Sequence, residues 1–231
     1  ASSADLDSTA GVSDAGAVSV DVTGLLDVSG ASIALGSGTS VFNAGTLTFN
    51  STGSVTVSED SSLDLVGTNT AGSASLVSVA GVSDAGAASV NVTGLLDVSG
   101  TSIALGSGTL VFNAGTLTFN SAGSVTISET SSLDLVGINT ANSADLDSTA
   151  GVSDATAVSV DVTGLLDVSG ASIALGSGAS VFNTGTLTFS SAGSVTISED
   201  SSLDLVGDNT AGSADLNSTA GVSDAGATGL N

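Results

Sequence analysis

The chain has no lysine, arginine or histidine, so its 23 aspartates and glutamates leave a formal charge of −23 over 231 residues. Nucleic acid is excluded as a partner, because phosphate binding needs basic side chains to displace counterions. Anionic membrane surfaces are excluded on the same ground. Without a basic side chain every carboxylate must face water, a metal ion or another chain. Burial of a lone carboxylate is costly, so all 23 are expected on a self-repelling surface. Cysteine is absent too, which removes disulfides, thiolate chemistry and thiolate zinc sites. Proline, methionine, tryptophan and tyrosine are missing, and only six phenylalanines are present. No run of 18 apolar residues exists, so no membrane-spanning helix is expected. The chain also lacks an initiating methionine and a signal peptide, so a processed product or a segment of something longer is expected.

What is present is repetition. The stretch from Val22 to Gly67 returns almost unchanged at Val92–Gly137 and at Val162–Gly207, offset by 70 residues each time without insertion or deletion. Self-similarity at a fixed period is the signature of an array rather than of separate folds. The whole chain is therefore read as one continuous array. Its copies are residues 1–70, 71–140 and 141–210, with a partial copy at 211–231.

Within a copy, apolar residues alternate with polar ones: Val18-Ser19-Val20-Asp21-Val22, Leu26-Asp27-Val28, Thr46-Leu47-Thr48-Phe49, Ser54-Val55-Thr56-Val57, Leu63-Asp64-Leu65. A period of two marks strands with one buried face. Glycine, asparagine or serine separates the segments, at Gly24, Gly30, Gly36, Gly38, Asn43, Gly45, Gly53 and Gly67. These are residues suited to tight turns. Roughly nine short strands per copy are expected, with the AGVSDA hexapeptides beginning at Ala10, Ala80, Ala150 and Ala220 as loops or weakly packed turns. Strands this short, and a core without large aromatic anchors, favour an all-β parallel β-helix, a β-solenoid, over a tandem sandwich. A coil of roughly 20 to 25 residues would let a copy close about three coils. The whole chain would then make a rod about 50 Å long. Aspartates stacked directly on one another would repel, so Ser or Thr is expected above each Asp.

Carboxylates are the only chemistry-bearing groups in number. Glu59-Asp60 and Glu199-Asp200 are adjacent pairs at a turn, with Glu129-Thr130 between them. Paired carboxyls that cleave glycosides face each other across a cleft; adjacent ones repeated along a rod do not, so no catalytic residues and no enzyme activity are expected. Hard oxygen ligands suit calcium. Asp5, Asp7, Asp14, Glu59, Asp60, Glu199 and Asp200 are its candidate ligands, and calcium is the one candidate cofactor. Solvated surface charge is the competing reading. Thr46-Leu47-Thr48 is similar to the threonine ladder of ice-binding solenoids, but it occurs once per copy, at Thr46, Thr116 and Thr186. Asn50, Asn91 and Asn217 open N-x-[ST] sequons at unrelated repeat phases, as chance would place them.

The unit GTLTFNSTGSVTVSEDSSLDLVG, Gly45–Gly67, resembles the repeat coils of filamentous-haemagglutinin-like and autotransporter-passenger bacterial proteins. The resemblance implies a secreted protein, extracellular or at the cell surface, with a right-handed parallel β-helix stalk. The leading expectation is a structural protein without catalysis: a subunit of a self-assembling filament, or a stalk segment of a giant surface protein. Its expected partner is itself, stacked head to tail, since uncapped solenoid ends template further pairing. The alternative is an adhesin module that recognises a surface or glycan through its acidic, Ser/Thr-rich face.

Overall fold

The computed structural model describes residues 1–14, 16–84, 86, 88–108, 111–224 and 229–230. Ala15, Ala85 and Ala225, which end three of the AGVSDA hexapeptides, lie outside them. The chain is all-β, and its paired strands run parallel. Two compact units follow one another, Ala1–Gly115 and Thr116–Asn231. Each is a parallel β-solenoid.

In the first unit the strands are β1 (Ala4–Asp7), β2 (Gly11–Ser13), β3 (Ser19–Gly30), β4 (Ser32–Leu35), β5 (Val41–Ser51), β6 (Ser54–Glu59), β7 (Leu63–Leu65), β8 (Thr68–Ala71), β9 (Ser73–Ser78), β10 (Gly81–Asp84), β11 (Ser89–Gly100) and β12 (Ser102–Leu105). Each apolar segment lies on the segment one coil earlier. Val12 pairs with Ile33, Ile33 with Val55, Val55 with Ala74, and Ala74 with Leu96. The inward positions of this ladder form the core. Leu26, Val28, Leu47, Val57, Leu65, Phe42, Phe49 and Phe112 have no exposed surface, and Phe119, Phe182 and Phe189 are as fully buried in the second unit.

Two of the strands turn a corner without ending. In β3 the ladder slips register between Val22 and Leu25. Gly45 of β5 passes over this corner, where a Cβ would stand 2.3 Å from the Thr23 carbonyl oxygen. Gly24 and Gly45, expected to separate strands, therefore lie inside them. They serve close backbone approach rather than turns.

With β3 and β5 each counted as two arms, a copy holds ten arms rather than nine. The arms pair three apart: β1 with the second arm of β3, β2 with β4, β4 with β6, β6 with β9. Ten is not a multiple of three. A copy therefore spans three and a third coils rather than three, and the next copy begins one face further round. The register shows this directly. Ile33 stands in the column Val12–Ile33–Val55–Ala74–Leu96, whereas its copy Ile103 stands in the column Leu63–Val82–Ile103. The second unit repeats the shift. Leu133 stacks with Val152, Ile173, Val195 and Ala214, while its copy Leu203 pairs with Val222 in a different column.

The AGVSDA hexapeptides are not loops. Gly11–Ser13, Gly81–Asp84, Gly151–Asp154 and Gly221–Asp224 are strands, and Val82 and Val152 are core residues. Small residues hid a strand whose single valine is enough to fill a narrow core. On the outer face most aspartates do stack on Ser, Thr or Asn: Asp27 on Thr48, Asp97 on Ser75, Asp161 on Asn183, Asp204 on Ser223. Asp5 instead stands over Asp27, Asp145 over Asp167, and Asp208 beside Gly229.

Candidate functional site

The sequence places its distinctive polar residues where the backbone ladder fails. The first arm of β5, Val41–Ala44, pairs with Ser19–Val22 on one side. On its other side the next coil passes as the corner Glu59-Asp60-Ser61 instead of a strand. Side chains replace the missing strand there. The Asp60 N–H donates to the Phe42 carbonyl at 2.9 Å, and the Phe42 N–H donates to Asp60 Oδ2 at 2.9 Å. The Ala44 N–H donates to both Glu59 carboxylate oxygens, at 3.1 and 3.2 Å. Ser61 Oγ donates to Glu59 Oε1 at 2.9 Å. In the third copy the same corner forms from Glu199, which accepts from the Thr184 N–H at 2.9 Å and from Ser201 Oγ at 2.9 Å. Asp200 accepts from the Phe182 N–H at 2.9 Å.

Two further clamps recur. Asp14, Asp84 and Asp154 close the strands Gly11–Ser13, Gly81–Asp84 and Gly151–Asp154, and each reaches the tight turn one coil on. Asp84 accepts from the Gly106 N–H at 2.6 Å and from Ser107 Oγ at 3.2 Å. Asp154 does the same with Gly176 at 2.8 Å and Ser177 at 3.3 Å. The glycines of these turns have φ of 74°, 79° and 76° at Gly36, Gly106 and Gly176. The third clamp is asparagine. Asn69 Oδ1 accepts from the Phe49 N–H at 3.0 Å while Asn69 Nδ2 donates to the Val66 carbonyl at 3.0 Å. Asn139 and Asn209 repeat both bonds.

The expectation that all carboxylates lie on the surface is therefore corrected. Glu59, Glu129, Glu199, Asp84 and Asp154 are buried. Hydrogen bonds from backbone and serine donors offset part of the burial cost. Burial still pushes the Glu59 carboxyl up to about 7, against the pull of Ser61 and Ala44. Glu199 is raised for the same reason, and so is Asp84. Asp14 sits in a more open coil. Burial raises it too, but the bonds from Gly36 and Ser37 together outweigh that and lower it. On the outer face, burial and then the neighbouring Asp147 and Asp167 raise Asp145. Removing a clamp should be measurable. Asp84→Ala is expected to cost about 2 kcal/mol, because charged hydrogen bonds of this kind carry that order. The check is a lower denaturant midpoint with an unchanged slope.

The seven candidate calcium ligands divide among four positions in the fold. Asp5 and Asp7 lie on the exposed face of β1, and Asp14 closes its turn. Glu59 and Asp60 share one corner, Glu199 and Asp200 its copy, and their oxygens serve backbone donors. Among the described residues no three acidic side chains gather into a group that could hold a metal ion. Thr48 stacks on Asp27, and Thr188 on Asp167, so the threonine motifs build no continuous threonine array. Asn50 is exposed, its Oδ1 accepting from Thr70 Oγ1 at 2.7 Å. A depression open to solvent lies over Glu199 and Asp200, bounded by Gly176, Ser180 and Ser218.

The sequence points to Asp14, Glu59 and Asp60 and their copies as possible calcium ligands, not as ladder groups, and it does not single out Asn69, Asn139 and Asn209 at all. The signal for the Asp14 series and the asparagines is a polar residue unchanged beside core positions in every copy. No family model, curated protein or solved structure matches the chain. Fold and clamps together define a class, a parallel β-solenoid whose buried polar side chains complete its own backbone ladder.

Proposed function

We propose that this chain is a structural protein of the cell exterior, a filament subunit or a stalk segment of a larger surface protein, without catalysis of its own. One observation carries the reading: the buried polar side chains are spent on joining coils. Among the described residues no buried side-chain nitrogen or oxygen lacks a hydrogen-bond partner. Groups kept for chemistry are instead held ready for a substrate.

Head-to-tail association is supported by the outermost coils. Among the described strands, β1 pairs only with β3, and Ser213–Ser218 only with Ser194–Glu199. Leu6 is 39% exposed while its copies Leu76 and Leu146 are fully buried, and Val222 is 48% exposed while Val82 and Val152 are buried. A further coil, from a second copy or from more of the same polypeptide, would cover them. Negative-stain electron microscopy of the purified chain, with calcium and with chelator, tests this. Long filaments are the expected result. Single-chain particles at high concentration in every salt and calcium condition would discard the subunit reading and leave the stalk segment. A fall in viscosity of a polyuronate solution would overturn the structural reading altogether.

A further inference from the structure

The clamp corners hold an unusual combination. Each joins two coils through a carboxyl shut away from water, in a chain without a basic side chain. Glu59 is 1% exposed and Glu199 2%. Their neighbours from the adjoining strands are backbone amides and hydroxyls: Ala44 and Ser61 around Glu59, Thr184 and Ser201 around Glu199, with Ser78 and Ser218 as ladder partners one coil on. The charged groups that face them are Asp60 and Asp200, both of the same sign. A carboxylate here is therefore opposed twice, by burial and by a like charge, and no cation relieves it.

We propose that these corners make the solenoid an acid-tightened structure: protonation of Glu59 and Glu199 strengthens the join between successive coils, and ionisation weakens it. A protonated carboxyl keeps one oxygen to accept from the Ala44 or Thr184 N–H. Its O–H can donate to the serine hydroxyl beside it, which then turns to act as acceptor. The buried charge is then gone.

The direction of the pH effect follows from linkage. The folded chain holds the Glu59 proton up to about 7, whereas a free glutamate releases it near its ordinary value of 4.5. The folded state thus binds more protons in the interval between, and stability must fall as pH rises through it. The stabilisation is complete below the lower value and lost above the upper one. This is the reverse of ordinary acid denaturation, in which paired carboxylates are lost on acidification. It does not depend on whether the chain forms filaments.

The test compares thermal unfolding of the wild type with the double variant Glu59→Gln/Glu199→Gln across the acid-to-neutral range. High salt screens the general surface repulsion. The wild type is expected to lose several degrees of melting temperature as pH rises, and the variant, with neutral isosteres at both corners, to lose clearly less. Equal slopes would overturn the proposal, since the loss would then come from surface charge alone. Should the variant fail to fold, the amide resonances of Ala44 and Thr184 in the wild type give the answer. A titration near neutrality upholds the proposal, and one in the ordinary carboxylate range sinks it.

Discussion

Gly36→Val is expected to unfold the coils around it, with a loss on the order of 4 kcal/mol or more, the range of exceptional single-site effects. Two separate costs meet at this position. Gly36 holds φ at 74°, where a β-branched residue is strained by about 1–2 kcal/mol. A Cβ there would also stand 1.9 Å from the Ser58 carbonyl oxygen, which is backbone of the next coil and cannot swing aside. Gly38 separates the two costs. Its φ is 70°, yet nothing lies within 4 Å of the Cβ position. Gly38→Val should therefore cost the strain alone. Circular dichroism melts of the two variants measure the difference. If both lose the same amount, the backbone approach at Gly36 is not the constraint described here. Because a solenoid's coils contact mainly their neighbours, the damage should stay local. Hydrogen exchange should show lost protection near Gly36 and Ser58 first.

Asn69→Ala is expected to cost about 3 kcal/mol, at the upper end for one buried unsatisfied group. Asn69 is fully buried, and its amide oxygen is the acceptor for the Phe49 N–H. Truncation leaves that N–H with no partner and no access to water. The Val66 carbonyl suffers less, because Thr48 Oγ1 also donates to it at 2.8 Å. Asn50→Ala is the natural comparison. Asn50 is exposed, so its bond from Thr70 is readily replaced by water, and the change should stay within about 0.5 kcal/mol. Equal midpoints for the two variants in denaturant titration would show that Asn69 is not a ladder group.

Both predictions concern residues that the sequence marks only weakly. Gly36 and Gly45 look alike in the sequence. One serves a left-handed turn, and the other a corner where two backbones touch. The difference lies in the coil next door, some 20 residues away along the chain, and no local pattern reports it. The same is true of Glu59. Its charge and its place at the end of an alternating segment suggested a solvated turn, because a lone carboxylate is costly to bury. The structure buries it because the coil is short there, which leaves the Ala44 N–H facing no strand.

The hydrophobic alternation by itself determined that the chain is all-β, and the 70-residue identity determined that it is an array. Strand length and the scarcity of aromatics were enough to select a solenoid, since only a narrow core can be filled by Val, Leu, Ile and six Phe. These follow from side-chain period and volume, which are properties of the chain read locally. Tertiary structure alone decided how the coils close. Ten arms per copy taken three at a time leave one over, so Ile33 and Ile103 fall on different faces although their surroundings in sequence are the same. That count depends on Gly24 and Gly45 bending strands instead of ending them, which the backbone of the neighbouring coil imposes. The same closure decides which of the carboxylates are buried, because it determines where a strand is missing and a side chain must complete the ladder.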